Sequence, residues 1–360
     1  MRVLVTGAKG FVGKNLCLAL KEQGHEVYEY DIDCNKMALA QFTKDCEFVF
    51  HLAGINRPTD NDYSGNYTLL EDVLHFLKLN FNKCPVMLSS SIQVEKDNAY
   101  GKSKLKAEMI LTNYGLEYDV KTFIYRFPNI FGPGCRPNYN SVVATWCYNL
   151  PRKKPVVIDS SATIRLIYIC DVVNELLHLL ETNKKGDYEH NIVCVMLDGL
   201  ESILEDIALS VKTGRMIPSG DKFYKDLYTT YLYYLDDPAI LLTTNADNRG
   251  SFTELYKSDS NGQVSVNVIK PGITKGNHYH HNKWEQFTVV AGRCVIEERN
   301  VYSNEKLSYY VDASEAIKSF YMLPGWTHNI MNIGKENAVV VMYANEEFDP
   351  DKPDTYYCEV

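Results

Sequence analysis

Three histidines and a glutamate in the last third of this 360-residue sequence have the donor atoms of a metal site: His278 and His280 are two apart, Glu285 follows five residues later, and His328 lies downstream. On a strand, His278 and His280 point to one face while Tyr279 and His281 point to the other. Imidazole and carboxylate donors suit zinc, iron, manganese or nickel, so ligand type alone leaves the metal open. A second set, nearer the beginning, could move a proton. Tyr100 and Lys104 lie four apart in "YGKSK", on one helical face and one turn from each other. An ammonium there can lower a phenol from its ordinary pKa of ~10 and make it a usable donor near neutral pH. Ser91, the last residue of "PVMLSSS" (85–91), can hydrogen-bond the same substrate oxygen, and Ser90 takes that place if the strand register shifts by one.

The elements that must position these groups are legible in the flanking sequence. "RVLVT" (2–6) reads as a short β-branched strand, and Gly7-Ala8-Lys9-Gly10-Phe11-Val12-Gly13 follows at once. Apolar residues then recur at helical spacing up to Gly24. Strand, glycine turn and helix together let a pyrophosphate approach the free N–H groups of a helix N-terminus. "HEVYEYDID" brings Asp31 to the end of a second strand, where a carboxylate binds adenosine ribose hydroxyls and repels a 2′-phosphate, favouring NADH. Lys9 pulls the other way, since an ammonium in the glycine loop suits that phosphate. Between Asp31 and the next strand at Glu47 only about fifteen residues remain, which predicts a trimmed sheet near the adenine.

Composition bounds the rest. The length predicts two domains. A break in periodicity over 234–250 divides them into 1–242 and 243–360, the second reading as short alternating strands of a barrel or sandwich. A net charge of -9 and the lack of a Lys/Arg block argue against nucleic acid or an acidic membrane as partner. The apolar runs fall short of a membrane span, no leader precedes the first strand, and the ten cysteines include no CxxC pair. Buried free thiols in a reducing cytoplasm are expected, among them Cys17, Cys147, Cys170, Cys194 and Cys294. The tyrosine-rich "FYKDLYTTYLYYL" (223–235) suits packing between domains or an oligomer interface.

Residues 1–240 resemble the extended short-chain dehydrogenase/reductases that act on sugar nucleotides, through Gly7/Gly10/Gly13, "HLAG" (His51 to Gly54), "LSSS", Tyr100 with Lys104, "YRFPNIFGP" (125–133) and "RLIYICDV" (165–172). The resemblance implies a doubly wound Rossmann-type parallel sheet, with Phe11, Val12, Leu52, Ala53 and Gly54 beside the cofactor. It also implies that Asn129 and Arg165 hold the substrate diphosphate, a role that suits a guanidinium. The later pattern, Gly272-x5-His-x-His-x4-Glu-x6-Gly292 and Gly325-x2-His-x3-Asn332, is similar to both halves of the cupin signature. That likeness implies an all-β barrel with His278, His280, Glu285 and His328 around one metal. "DNRGSFTEL" resembles the opening strand of the cupin-like dTDP-sugar 3,5-epimerases. An epimerase of that type stabilises an enolate with a metal or a cation such as Lys275. Lys275 is also the best base available here, with Tyr343 and Asp349 as proton donors.

Nearly end to end, the chain resembles the bifunctional enzymes of bacterial capsule and O-antigen synthesis. What that implies is a zinc-bearing homodimer in the cytoplasm that acts on UDP-2-acetamido-2,6-dideoxy-β-L-arabino-4-hexulose. The cupin would epimerise C3 and the reductase would reduce the C4 ketone, with NADPH by family habit. Asp31 favours NADH, and the two indications stand side by side. A rival expectation keeps the 4-ketoreductase and makes the cupin a metal-stapled binding or dimerisation module.

Overall fold

The structure is a computed structural model and describes residues 1–155, 162–215, 220–258 and 262–360. The chain divides into two compact units, Met1–Glu205 with Lys222–Asp236, and Asp206–Asp221 with Asp237–Val360. The main change of unit falls at Asp236/Asp237, six residues before the division read from periodicity, and residues 206–221 join the second unit.

In the first unit, β1 (Arg2–Thr6), α1 (Phe11–Glu22), β2 (Glu26–Tyr30), α2 (Lys36–Phe42) and β3 (Phe48–His51) open the chain. They are followed by α3 (Gly65–Leu79), β4 (Val86–Ser91), α4 (Ala99–Tyr118) and β5 (Thr122–Phe127). All neighbouring strands run parallel in the order β2-β1-β3-β4-β5. The sheet ends at β2, because the short 31–47 connection holds only the seven-residue α2 and no further strand. Alternation along β1 explains the layering. Val3 and Val5 pack with Leu16 and Leu20 of α1 on one face, and Leu4 packs with Leu70 and Leu111 on the other. On α1 the buried residues Gly13, Leu16, Cys17 and Leu20 follow a single stripe of 3.6-residue period. Truncating a fully buried leucine such as Leu16 is expected to cost about 2–5 kcal/mol.

A smaller sheet follows, from β6 (Asn129–Phe131), β7 (Thr163–Tyr168) and β8 (Val193–Met196), with helices α5 (Val142–Asn149) and α6 (Ile169–Thr182). Helix α7 (Leu197–Thr213) crosses from the first set of residues to the second. The tyrosine-rich segment becomes α8 (Lys222–Tyr233), which belongs to the first unit; just beyond it, Tyr234 stacks edge-on against Tyr148 of α5 and donates to the Cys135 carbonyl. These contacts of Tyr234 lie within the first unit.

The second unit is built from β9 (Thr244–Asp247), β10 (Gly250–Ser258), β11 (Gly262–Ile269), β12 (Thr274–Tyr279), β13 (Glu285–Ala291) and β14 (Arg293–Asn300). It continues with β15 (Lys306–Asp312), β16 (Ser319–Met322), β17 (Trp326–Asn332), β18 (Ala338–Ala344) and β19 (Tyr356–Tyr357). Two antiparallel sheets, β16-β13-β18-β11-β10-β9 and β15-β14-β17-β12-β19, form a cupin-like β domain. Their inward residues, among them Ile269, Phe287, Ile296, Ile330 and Val340, share one core.

All ten cysteines are free. Cys17, Cys46, Cys84, Cys147 and Cys294 are buried, but Cys170 and Cys194 are exposed, contrary to expectation. Cys194 sits at an exposed alternate position of β8, the strand at one edge of the small sheet, and Cys170 on the solvent side of α6. Among the described residues no helix is long and apolar enough to cross a membrane.

Candidate functional site

The glycine loop leaves β1 with Gly7 at φ +71°, a conformation that favours glycine. A Cβ on Gly7 would lie 2.7 Å from the Ala53 nitrogen, and one on Gly13 would lie 2.1 Å from the Gly7 oxygen. The loop is thus a cradle that only bare backbone fits, and its helix opens at Phe11 with Val12 and Gly13 in the first turn. Leu52 and Ala53 continue β3 beside it, with the Leu52 N–H donating to the Thr6 carbonyl at 3.1 Å. Asp31 accepts from the Lys9 N–H at 2.7 Å, so the carboxylate expected at the ribose also braces the loop. The Lys9 ammonium pairs with the exposed carboxylate of Asp33. These features fit a dinucleotide: an anion-accepting helix start with an acidic residue at the edge of β2.

At the far end of β4, Ser91 and Ser90 separate by strand alternation. The buried Ser90 hydroxyl donates to Glu108 at 2.5 Å, and Glu108 also takes two bonds from Arg126, at 3.0 and 2.6 Å. Ser91 instead lies against the Tyr100 phenol, which settles the register. Asn98 caps α4 by accepting from the Gly101 N–H at 2.7 Å, presenting Tyr100 in the first turn. Burial pushes the Tyr100 phenol up, Ser91 pulls it down, and Tyr63 raises it again. Lys104 is not among these influences, so the lowering expected from the ammonium is absent here. Lys104 is buried and donates to the Ser89 carbonyl at 3.1 Å, and burial lowers its pKa to about 8 against the opposing pull of Glu108. Gly54 lies against the same ammonium, where a Cβ would sit 2.8 Å from Nζ.

Asn129 and Arg165 lie on the paired strands β6 and β7, and the Asn129 amide donates to the Arg165 carbonyl at 3.4 Å. Arg165 is exposed and lines a cavity of about 440 Å³ with Arg126, Lys185 and Tyr188.

In the second unit the four metal-type side chains converge. One ligand atom from each of His278, His280, Glu285 and His328 lies within 4.8 Å of every other. Glu285 Oε2 stands 3.9, 3.5 and 3.3 Å from Nε2 of His278, His280 and His328. Strand pairing explains the convergence, since His278 lies opposite His328 in the β12–β17 ladder after a bulge at Gly276. Gly325, at φ +77°, turns the chain into β17 and donates its N–H to the His280 carbonyl at 2.9 Å. Burial alone would raise the Glu285 carboxyl, but the three imidazoles outweigh it and hold it well below the usual range. Burial lowers His328, with Glu285 pulling in the opposite sense. The Nε2 atom of His280 is buried without a hydrogen-bond partner, and its Nδ1 meets the Asp354 carbonyl at 2.5 Å. Three imidazoles and a carboxylate, with one orphaned nitrogen aimed at the centre, fit a divalent metal.

Lys275, three residues before His278, faces into the barrel and bonds Asn267 Oδ1 at 2.7 Å, with the Val268 and Ser251 carbonyls at 3.3 and 3.5 Å. Burial lowers its pKa, partly offset by Asp247. Tyr343 is not at this centre: its neighbour Met342 packs with the inward core, while Tyr343 pairs with Trp284, ring centres 5.3 Å apart. Asp349 is exposed on the loop after β18 and accepts from the Asp351 N–H. His281 is exposed and meets the rings of Tyr279 and Tyr356 edge-on. Sequence reasoning missed Glu108, Arg126 and Asp354; Glu108, one further turn along the Tyr100/Lys104 face, was the one with a spacing signal.

Residues 3–80 and 85–194 match the NAD dependent epimerase/dehydratase family, and residues 245–356 match the polysaccharide biosynthesis C-terminal domain. A Pseudomonas aeruginosa protein described as UDP-2-acetamido-2,6-beta-L-arabino-hexul-4-ose reductase is 37% identical, over 100% of this chain and 99% of its own. The capsular polysaccharide assembling protein CapF from Staphylococcus aureus is 42% identical, and its crystal structure covers 100% of both chains at TM-score 0.94. A UDP-glucuronic acid 4-epimerase from Bacillus cereus, at 20% identity and TM-score 0.55 over 65% of this chain and 98% of its own, shares the fold of the first part. The chain therefore belongs to the NAD-dependent epimerase/dehydratase family, in its CapF-like group with an added polysaccharide-biosynthesis C-terminal domain.

Proposed function

We propose that this chain is a bifunctional sugar-nucleotide enzyme acting in the cytoplasm on UDP-2-acetamido-2,6-dideoxy-β-L-arabino-4-hexulose. The C-terminal domain epimerises C3 and the N-terminal domain reduces the C4 ketone, giving UDP-2-acetamido-2,6-dideoxy-L-talose for capsule or O-antigen synthesis. The observation that carries the reading is the presence, in one chain, of a Ser91/Tyr100/Lys104 set beside a dinucleotide cradle and a separate His/Glu cluster. Likeness over the full length to a protein described as a 4-ketohexose reductase supports the substrate class. A homodimer is part of the same proposal, by likeness to the family.

In the reductase, Asn129 and Arg165 hold the diphosphate, a task for which a fixed guanidinium is suited. Ser91 orients the C4 carbonyl. Tyr100, whose raised pKa keeps it protonated at neutral pH, gives its proton to the C4 oxygen. Lys104, tied to the Ser89 carbonyl, would hold the nicotinamide ribose. The bound NAD(P)H supplies the hydride. In the epimerase, the neighbouring ketone acidifies the C3 proton, Lys275 acts as the base that takes it, a proton is returned on the other face, and the cluster's metal would offset the enolate charge. A divalent metal held by His278, His280, Glu285 and His328, zinc by family likeness, supplies Lewis-acid charge and a cross-link between strands.

A second reading, a 4-ketoreductase with a metal-stapled binding domain, is favoured by one observation. Three acceptors surround the Lys275 ammonium, an arrangement suited to a fixed charge more than to a base. Proton NMR of the UDP-4-keto sugar in D2O without nicotinamide separates the two. Deuterium at C3, lost in a folded His328→Ala variant, supports the epimerase. Oxidation of added NADH or NADPH with no exchange supports the second reading.

A further inference from the structure

We propose that Asp354 is a positioning residue for the His/Glu cluster, fixing the tautomer and aim of His280 from a segment remote in sequence. The inference rests on the reading that the cluster holds a divalent metal. Asp354 has left-handed φ (+39°), uncommon for a residue with a side chain. Such a conformation persists where neighbours over-determine it. Here they do. Its Oδ1 accepts from the His281 N–H, and its Oδ2 accepts from the N–H groups of Asn282 and Lys283, each at 2.9 Å. The buried Lys283 ammonium donates to the Pro353 carbonyl at 3.0 Å from the same loop.

This clamp sets the backbone carbonyl of Asp354 against His280. A carbonyl only accepts, so the 2.5 Å contact puts the proton on Nδ1. Nε2 is left with a lone pair, buried, without a partner, and 3.5 Å from Glu285 Oε2. Carbonyl-held imidazoles of this form are prepared ligands, because metal coordination requires the neutral ring with a defined free nitrogen. The following residues tie down the other ligand strands. Tyr357 pairs with His278, the Cys358 N–H donates to the Asn277 carbonyl at 3.0 Å, and Thr327 beside His328 donates to the Cys358 carbonyl at 2.5 Å.

The test uses the full chain, stripped with chelator and reloaded with Zn²⁺ against a competing chelator, and with Co²⁺ as a spectroscopic probe. Asp354→Ala is expected to weaken Zn²⁺ binding about 10- to 100-fold, the usual range for loss of a group that orients a ligand. Its Co²⁺ visible bands should move toward those of His280→Ala. Because Asp354 acts through His280, adding Asp354→Ala to His280→Ala should change affinity by less than about twofold. Asp354→Asn keeps one acceptor oxygen and should recover part of the loss; it stands in if the alanine variant does not fold. Wild-type affinity and spectrum in both Asp354 variants, or full additivity with His280→Ala, would overturn the inference while leaving the metal reading intact. Failure of the wild-type chain to take up either ion would overturn both.

Discussion

Lys104 donates from α4 to the Ser89 carbonyl at 3.1 Å, which ties the helix bearing Tyr100 to the strand that ends at Ser91. The bond fixes the spacing of the proposed proton donor and the hydroxyl opposite it, at the cost of burying an ammonium.

That cost makes the first prediction. Burial lowers Lys104 from 10.5 to about 8. Between those values the unfolded chain binds a proton that the folded chain has released, so stability rises with pH across the window. Below pH 8 both states are protonated and the full penalty, roughly 3 kcal/mol, is present. Lys104→Met should therefore stabilise the first unit most near pH 7, with the advantage shrinking toward pH 10. Urea unfolding read by Trp146 fluorescence, with Trp284→Phe and Trp326→Phe as background, measures it. An advantage independent of pH would contradict the burial argument.

Tyr100→Phe keeps the ring packed against Tyr63 while removing the proton. Reduction of the 4-keto sugar should fall by about 10²- to 10⁴-fold, the usual contribution of a general acid. Exchange at C3 should stay within about twofold, because the His/Glu cluster belongs to the other unit. Loss of both activities in a folded variant would argue against the division of labour.

Local patterns carried most of this from the sequence. The glycine turn, the YxxxK spacing and the HxH pair each act through neighbours within one turn or one strand, and periodicity reports such neighbours well. What escaped depends on long-range pairing. Tyr343 lies outside the barrel because it neighbours the inward-facing Met342, a fact set by β18 register. Asp354 meets the 281–283 loop across more than seventy positions of chain, with no local periodicity to announce it. The lowering of Tyr100 by Lys104 failed for another reason. Helical spacing places the two on one face, but Lys104 reaches back to the Ser89 carbonyl, and burial dominates the phenol.

Cofactor choice turns on Asp31 and Lys9. Asp31 is braced by the Lys9 and Ile32 N–H groups, both at 2.7 Å, so it cannot swing away from a 2′-phosphate without losing them. Asp31→Ser should raise the NADPH/NADH ratio of kcat/KM about tenfold, equal to ~1.4 kcal/mol, the scale of one partly screened like-charge contact. Lys9→Ala should lower the same ratio, because it removes an exposed ammonium of the glycine loop, paired with Asp33, that suits such a phosphate. An unchanged ratio in both variants would remove these residues from cofactor selection.

Glu285 gathers the three imidazoles around one oxygen, and this geometry predicts how the second unit responds to chelation. A metal that binds only the folded cluster stabilises by mass action, about 2.7 kcal/mol at a hundredfold excess over Kd. For a unit of this size that is a rise of about 10 °C in its melting temperature. Calorimetry with and without chelator should show the rise in the wild-type chain. It should be largely absent in Glu285→Gln, where a neutral amide replaces the anionic ligand. The first unit's transition should not move in either case. Metal binding to imidazole and carboxylate donors competes with protons, so the metal-dependent rise should shrink as pH falls. A rise that survives Glu285→Gln intact would place the ion elsewhere on the chain.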